Sequence, residues 1–259
     1  MTVKDKILQG RTYLGIELGS TRIKAVLIDD SFSVIASGSK QWENRFENGC
    51  WTYSLDDIHG GIQACYKDLA ENVKAQYGIY PEIYGAMGIS AMMHGYMAFD
   101  KNDKLLVPFR TWRNTMTAQA AGELTELLGF NIPQRWSIAH LYQAVLNKES
   151  HVPYIAYINT LAGYVHKRLT DRFEVGVGEA SGIFPVEGIG YKKEYLEPTE
   201  KSLAEKGFDH KLKDILPAVR NAGEKGAVLT EEGARFLDPE GRLKAGVPVC
   251  PPEGDAGTG

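Results

Sequence analysis

YLGIELGSTRIKAVLID, residues Tyr13 to Asp29, holds two apolar runs, Tyr13–Leu18 and Ile23–Ile28, parted by Gly19-Ser20-Thr21. Two runs of strand length joined by a short small-residue break predict a β-hairpin. Runs so uniformly apolar fit strands covered on both faces. Glu17 and Lys24 sit near the turn inside this apolar pair. Burying either charge alone is costly, so each is expected to reach a partner, an ion or solvent. Small side chains at the turn also let backbone N–H groups approach an anion. Two readings follow: a phosphate and metal corner at the end of a buried hairpin, or a hydrophobic hairpin that carries rim charges.

Outward from the hairpin, residues 1–12 read as a polar lead-in. Phe32–Gln41 reads as a third strand and completes an antiparallel meander. Residues 43–53 are polar and form a loop. Ser54 offers an N-cap with Asp57 three residues on, and Ile58, Ile62, Cys65, Leu69 and Val73 recur at helical spacing until Gly78 closes the helix. Ile83–Ser90 is the next buried strand, and Lys101-Asn102-Asp103 a turn between two short ones. Helices are expected over Thr115–Leu128, Ser137–Lys148 and Ile155–Leu169. A strand is expected over Arg172–Gly178, running into the loop Glu179-Ala180-Ser181-Gly182. Residues 191–236 mix short helices and loops, and Gly246–Cys250 is a last short strand. A meander followed by α/β crossovers predicts an α/β fold, a mixed sheet with helices on both faces. The chain stops in a Gly-rich segment straight after a strand, where such a domain continues into a helix, so a truncated protein is expected.

The 259 residues, 43% apolar and 24% charged, suit a globular protein with a substantial core. A net charge of −4 and the lack of a basic run argue against nucleic acid as a partner. No apolar run approaches the length of a membrane span. The N-terminus lacks the apolar core of a signal peptide, and a cytoplasmic location is expected. Cys50, Cys65 and Cys250 are odd in number and show no C-x-x-C spacing, which argues against a disulfide framework or a zinc site.

Three places offer chemistry. Asp255, in Glu253-Gly254-Asp255-Ala256-Gly257, follows a strand among residues too small to block a ligand. A carboxylate there can accept a proton from a substrate hydroxyl, or it can be a turn aspartate bonded to its own backbone. Met93-His94-Gly95 follows the strand ending at Ser90, where His94 can offer a hydrogen bond to a polar ligand or serve as a structural histidine. Trp112-Arg113-Asn114 can meet the apolar face and the hydroxyls of a sugar, or can start a helix with Asn114 as its cap and Trp112 in the core.

Taken with these segments, the chain resembles the N-terminal domain of the FGGY family of carbohydrate kinases, and most of all its xylulokinase branch. LGIELGSTRIKAVLID is similar to the family's first phosphate motif. GISAMMHGYMAFDKNDKLLVPFRTW resembles its Met-His-Gly substrate segment, and Glu179-Ala180-Ser181-Gly182, ILPAVRNAGEKGAVLT and VPVCPPEGDAGTG follow in the family's order. The resemblance runs from Tyr13 to Gly259. It implies a ribonuclease-H-like fold of the actin, hexokinase and sugar-kinase superfamily, with residues 13–259 as the sugar-binding domain.

The same resemblance implies ATP- and Mg²⁺-dependent phosphorylation of a pentose or hexose ketose or a polyol, with a xylulose-like substrate favoured. Asp255 matches the family's catalytic base. Met93, His94, Trp112 and Asn114 fall at its substrate contacts. Gly19, Ser20, Thr21 and Lys24 belong to the phosphate site, and Glu17 joins Asp255 at the metal. The partners implied are a sugar or polyol and a second, ATP-binding domain of the same chain; the oligomeric state is open, a homodimer included, and neither nucleic acid nor a membrane is expected. Three positions depart from the family pattern: Glu17 stands where Asp is usual, Arg113-Asn114 replaces an Asn-Asp-type pair, and His140 stands where xylulokinases tend to have Lys. The Glu17 and Asn114 departures leave room for a non-catalytic sugar-binding relative that acts as a sensor or partner; a sugar-independent ATPase or actin-like scaffold on the same fold is a third reading, in which Met93-His94 and Trp112 are not needed.

Overall fold

The hairpin is the centre of the sheet. In the computed structural model, which describes residues 1–224 and 226–258, β1 (Thr12–Leu18) pairs antiparallel with β2 (Arg22–Asp29), with Gly15 opposite Val26 and Glu17 opposite Lys24. Lys225 of ILPAVRNAGEKGAVLT and Gly259 of VPVCPPEGDAGTG lie outside the described residues. β3 (Val34–Gln41) continues the meander beside β2. The next sheet strand, β4 (Ala86–Ala91), lies parallel to β1 on its other side. Beyond β4 come β5 (Pro248–Val249) and, pairing with the carboxyl end of β4, β6 (Glu253–Gly254). With Ala227–Val228 antiparallel to β5 at the far edge, the main sheet has seven strands among the described residues. The mixed sheet with packed helices is the expected class.

Burial alternates along β1 and β2 where the apolar runs suggested cover on both faces. Leu14, Ile16, Leu18, Ile23, Ala25 and Leu27 are buried in the main core, whereas Tyr13, Gly15 and Lys24 point to an open face. The buried face is covered chiefly by α2 (Leu55–Tyr77). Ser54 and Asp57 close a reciprocal capping box at its start, Gly78 ends it in the left-handed conformation, and Ile58, Ile62, Cys65, Leu69 and Val73 form its buried stripe. Gly38 of β3 sets how closely this helix lies on the sheet. A Cβ there would stand 2.4 Å from Leu69 N and 2.5 Å from Cys65 O, inside the helix backbone.

Several boundaries move where a distant partner decides them. The lead-in carries a short helix, α1 (Val3–Leu8), capped by Thr2 and Asp5, and Lys6 ties it to Asp29 at 2.8 Å. The loop over 43–53 contains a small hairpin, Arg45–Glu47 with Cys50–Thr52. Residues 116–117 are turn, and α3 begins at Ala118 (Ala118–Leu128); α4 spans Ser137–Leu146. The helix expected from Ile155 starts later, as α5 (Leu161–Thr170), because Tyr157–Asn159 pairs with Met97–Phe99 as a strand and Thr160 then caps the helix. Val177–Ala180, read as strand end and loop, is a helical turn. Residues between β4 and β5, with α3 and α4, build a second core that includes Tyr96, Leu124, Ile138, Tyr142, Phe184 and Phe208. The chain then passes through β6 into α6 (Asp255–Thr258). No helix among the described residues is long and apolar enough to cross a membrane.

Candidate active site

β1, β4 and β6 run parallel, so their carboxyl ends meet at one edge of the sheet, where ligands of open α/β sheets bind. Gly19-Ser20 leave β1, Met92-Met93-His94 leave β4, and Asp255 leaves β6. The register places Gly254 opposite Ala91 and so sets Asp255 beside Met93. Only glycine fits at 254, because a Cβ would stand 1.9 Å from Met93 Cγ and 2.7 Å from Glu179 Oε2. The Met93 N–H donates to Asp255 Oδ1 at 3.2 Å, and the Ala256 N–H donates to the same oxygen at 3.0 Å. The carboxylate is thereby aimed while staying exposed.

Around Asp255 lies a cavity of about 300 Å³ lined by Ser20, Met93, His94, Trp112, Arg135 and Ala256. Trp112, 43% exposed, donates its indole N–H to Ser20 Oγ at 3.4 Å, so its ring is a cavity wall and not core. His94 adopts φ 67°, an uncommon conformation for a residue with a side chain. Burial pushes its imidazole below the usual histidine value; the Arg135 charge adds to this and the Asp255 charge opposes it. The ring is therefore neutral near pH 7.

Asn114 does not enter this cavity. It is 3% exposed, and its amide is spent on backbone: Oδ1 accepts from Trp51 N at 2.8 Å, and Nδ2 donates to Trp51 O at 2.8 Å and Thr111 O at 3.0 Å. It lines a neighbouring cavity that shares Trp112 and Arg135. Nor does Asn114 cap α3, whose N-cap is Thr117. His140 is buried in α4 beside the Tyr96 ring, away from the cavity lining, and burial pushes its pKa down to about 3.

At the β1–β2 turn, the Trp42 indole N–H donates to Gly19 O at 2.7 Å and the Tyr53 hydroxyl to Ser20 O at 2.5 Å, while the two rings stack at 4.2 Å. Thr21 is exposed. Glu17 and Lys24 face each other across the strands at 3.5 Å, and both line a separate, largely apolar cavity of about 450 Å³ on the open face of the sheet, over Gly15, Val26 and Gly88. Glu17 and Asp255, expected together at a metal, thus line different cavities. Among the described residues no three His, Cys, Asp or Glu side chains converge as a metal cluster.

Two features escaped the sequence reading. Glu179 is fully buried, and neither of its carboxylate oxygens makes a hydrogen bond. Burial pushes it up to about 8, and the Glu253 and Asp255 charges add to the shift. Glu253 lies against the backbone of Gly176 and Gly178, with Oε2 accepting from Glu179 N at 2.9 Å. Arg135 is the second, a cavity-wall cation in a segment with no motif. A buried glutamate next to Gly254 was visible only as a Glu-Ala-Ser-Gly string.

The family model described as FGGY family of carbohydrate kinases, N-terminal domain, matches residues 12–258. A xylulose kinase of Haemophilus influenzae is 25% identical over 245 residues, covering 87% of this chain and 47% of that protein. Among solved structures, a xyloylose kinase from Brucella ovis superposes with a TM-score of 0.75 at 22% identity, covering 95% of this chain and 49% of the other. A gluconate kinase from Lactobacillus acidophilus gives 0.71 at 18% identity, with 94% and 48% covered. These two likenesses are of fold. The chain spans about half the length of the relatives that it matches along most of its own length.

Proposed function

The chain belongs to the FGGY family of carbohydrate kinases, and from that membership we propose that it is the sugar-binding lobe of an ATP-dependent kinase acting on a hydroxyl of a five- or six-carbon sugar or polyol. The names of its relatives favour a xylulose-like chain. The observation that carries the reading is the convergence of Asp255, Met93, His94, Trp112 and Ser20 on one cavity at the carboxyl ends of parallel strands.

Phosphoryl transfer asks a protein for positioning, charge neutralisation and a residue to take the acceptor proton. Asp255, exposed and fixed by two backbone N–H groups, takes the hydroxyl proton. His94, kept neutral by burial, offers a hydrogen bond without adding charge. The Trp112 face covers the apolar side of the sugar, and Ser20, bonded to its indole, meets a hydroxyl or a phosphate oxygen. Magnesium-bound ATP supplies the phosphoryl group and neutralises its charge. The residues fit a magnesium ion that arrives on phosphate oxygens, since such an ion needs only one or two carboxylates; Asp255 is exposed for this, and Glu17 is half-exposed at the end of β1. Thr21 and Lys24 extend the phosphate-facing edge. The adenosine pocket belongs to a second domain in a protein about twice this length, and closure of the two lobes keeps water from acting as acceptor.

The test is ADP release by the full-length protein with MgATP, across pentoses, hexoses and polyols, with and without each. Release that depends on one class of sugar is expected. Release of equal rate without any sugar contradicts the proposal and favours a scaffold-type ATPase.

A further inference from the structure

We infer that the cavity also takes a substrate that carries a carboxylate and that Arg135 receives it, which adds a sugar acid, an aldonate or ketoaldonate, to the neutral sugars and polyols proposed above. The kinase reading above supplies the second half of this picture, delivery of a hydroxyl to Asp255; binding of the acid stands without it.

The cavity holds one carboxylate, Asp255, and one guanidinium, Arg135, with the neutral His94 between their fields. Among the described residues the Arg135 side chain has neither an ion pair nor a hydrogen bond. Two other arginines of the chain between β4 and β5, neither of them lining this cavity, have partners: Arg113 donates to Asn44 Oδ1 at 2.9 Å and lies over the Trp51 ring at 3.8 Å, and the buried Arg110 is paired with Glu149. The Arg135 main chain, in contrast to its side chain, is fixed: its carbonyl accepts from Gly95 N at 3.1 Å, directly beside His94. A guanidinium on an anchored backbone, in the wall of the cavity that holds Asp255 and without a carboxylate of its own, is matched by a planar, two-oxygen anion.

Orientation follows from charge. A carboxylate end is repelled by Asp255 and drawn to Arg135, so the acid binds one way round, with its far hydroxyls toward Asp255. A neutral sugar lacks this polarity and can enter either way. Because Arg135 is exposed, a neutral ligand leaves no buried charge unpaired, so discrimination should be about 10- to 100-fold and not the larger factors of sites that strand a buried group.

The test is equilibrium binding to the full-length protein, without nucleotide and at fixed ionic strength. The probes are five- and six-carbon aldonates, each paired with the alditol of the same configuration. Wild type should bind at least one aldonate about 10-fold or more tightly than its alditol, and Arg135→Gln should bring that ratio toward one while Arg135→Lys restores part of it. Ratios near one in the wild type, ratios unmoved by Arg135→Gln, or no aldonate binding each overturn the inference. Sugar-dependent ADP release with neutral sugars alone would sink it while sparing the kinase reading. Arg135-dependent aldonate binding without any ADP release would do the reverse.

Discussion

Glu179 shows how much of the site's chemistry is set by surroundings. Its carboxyl holds a proton to about pH 8 in the folded chain, against an ordinary value of 4.5. Between those values the folded state binds more protons than the unfolded state. Stability therefore falls as pH rises through that window, by at most roughly 1.4 kcal/mol per pH unit, and levels off above it. Glu179→Gln removes this contribution. Its melting temperature relative to wild type should rise from pH 5 to pH 8; a constant difference over that range would show that the carboxyl is ionised throughout. Asp255, Met93, His94, Trp112 and Ser20 were legible from their places after strand ends, and the fold brings them together. Asn114 was not, because the same letters that suit a sugar contact also suit an amide bonded to Trp51 and Thr111. Glu179 and Arg135 were missed for a related reason: complete burial and the lack of an ion-pair partner belong to the tertiary structure and leave no local mark.

Elements were readable where their signals are local. Ser54, Asp57 and Gly78 bound α2 within the sequence itself, and its apolar stripe needs no partner to be recognised. The strand Tyr157–Asn159 depends on Met97–Phe99, far earlier in the chain, so helical periodicity was carried through it. The open face of β1 and β2 was likewise hidden, since Gly15 and Gly88 read as apolar filler yet lie side by side with open space where a Cβ would stand. Packing of α2 on β3 makes a prediction at this scale. Gly38→Ala drives a methyl group into the backbone at Leu69 and Cys65 and should cost about 1–3 kcal/mol or more in urea unfolding. Gly60→Ala, on the exposed side of the same helix with nothing nearby, should instead gain up to about 1 kcal/mol. Equal effects of the two changes would mean that the helix does not seat on Gly38.

At the scale of the molecule, two cores carry one cleft edge. The sheet and α2 present the ends of β1, β4 and β6, and the second core presents Trp112 and Arg135 from the chain between β4 and β5. This division explains why the cavity forms where the ends of the sheet strands meet the chain between β4 and β5. The central claim is that Asp255 takes a proton from a bound sugar and does little to hold it. The most direct measurement compares wild type and Asp255→Asn in the full-length protein, reading sugar binding and sugar-dependent ADP release side by side. The asparagine keeps the shape and the acceptor oxygen that Met93 N–H reaches, so binding should change by less than about threefold while release falls by about 10²- to 10⁴-fold. Release that survives the substitution, or that falls only in step with lost binding, would contradict the claim.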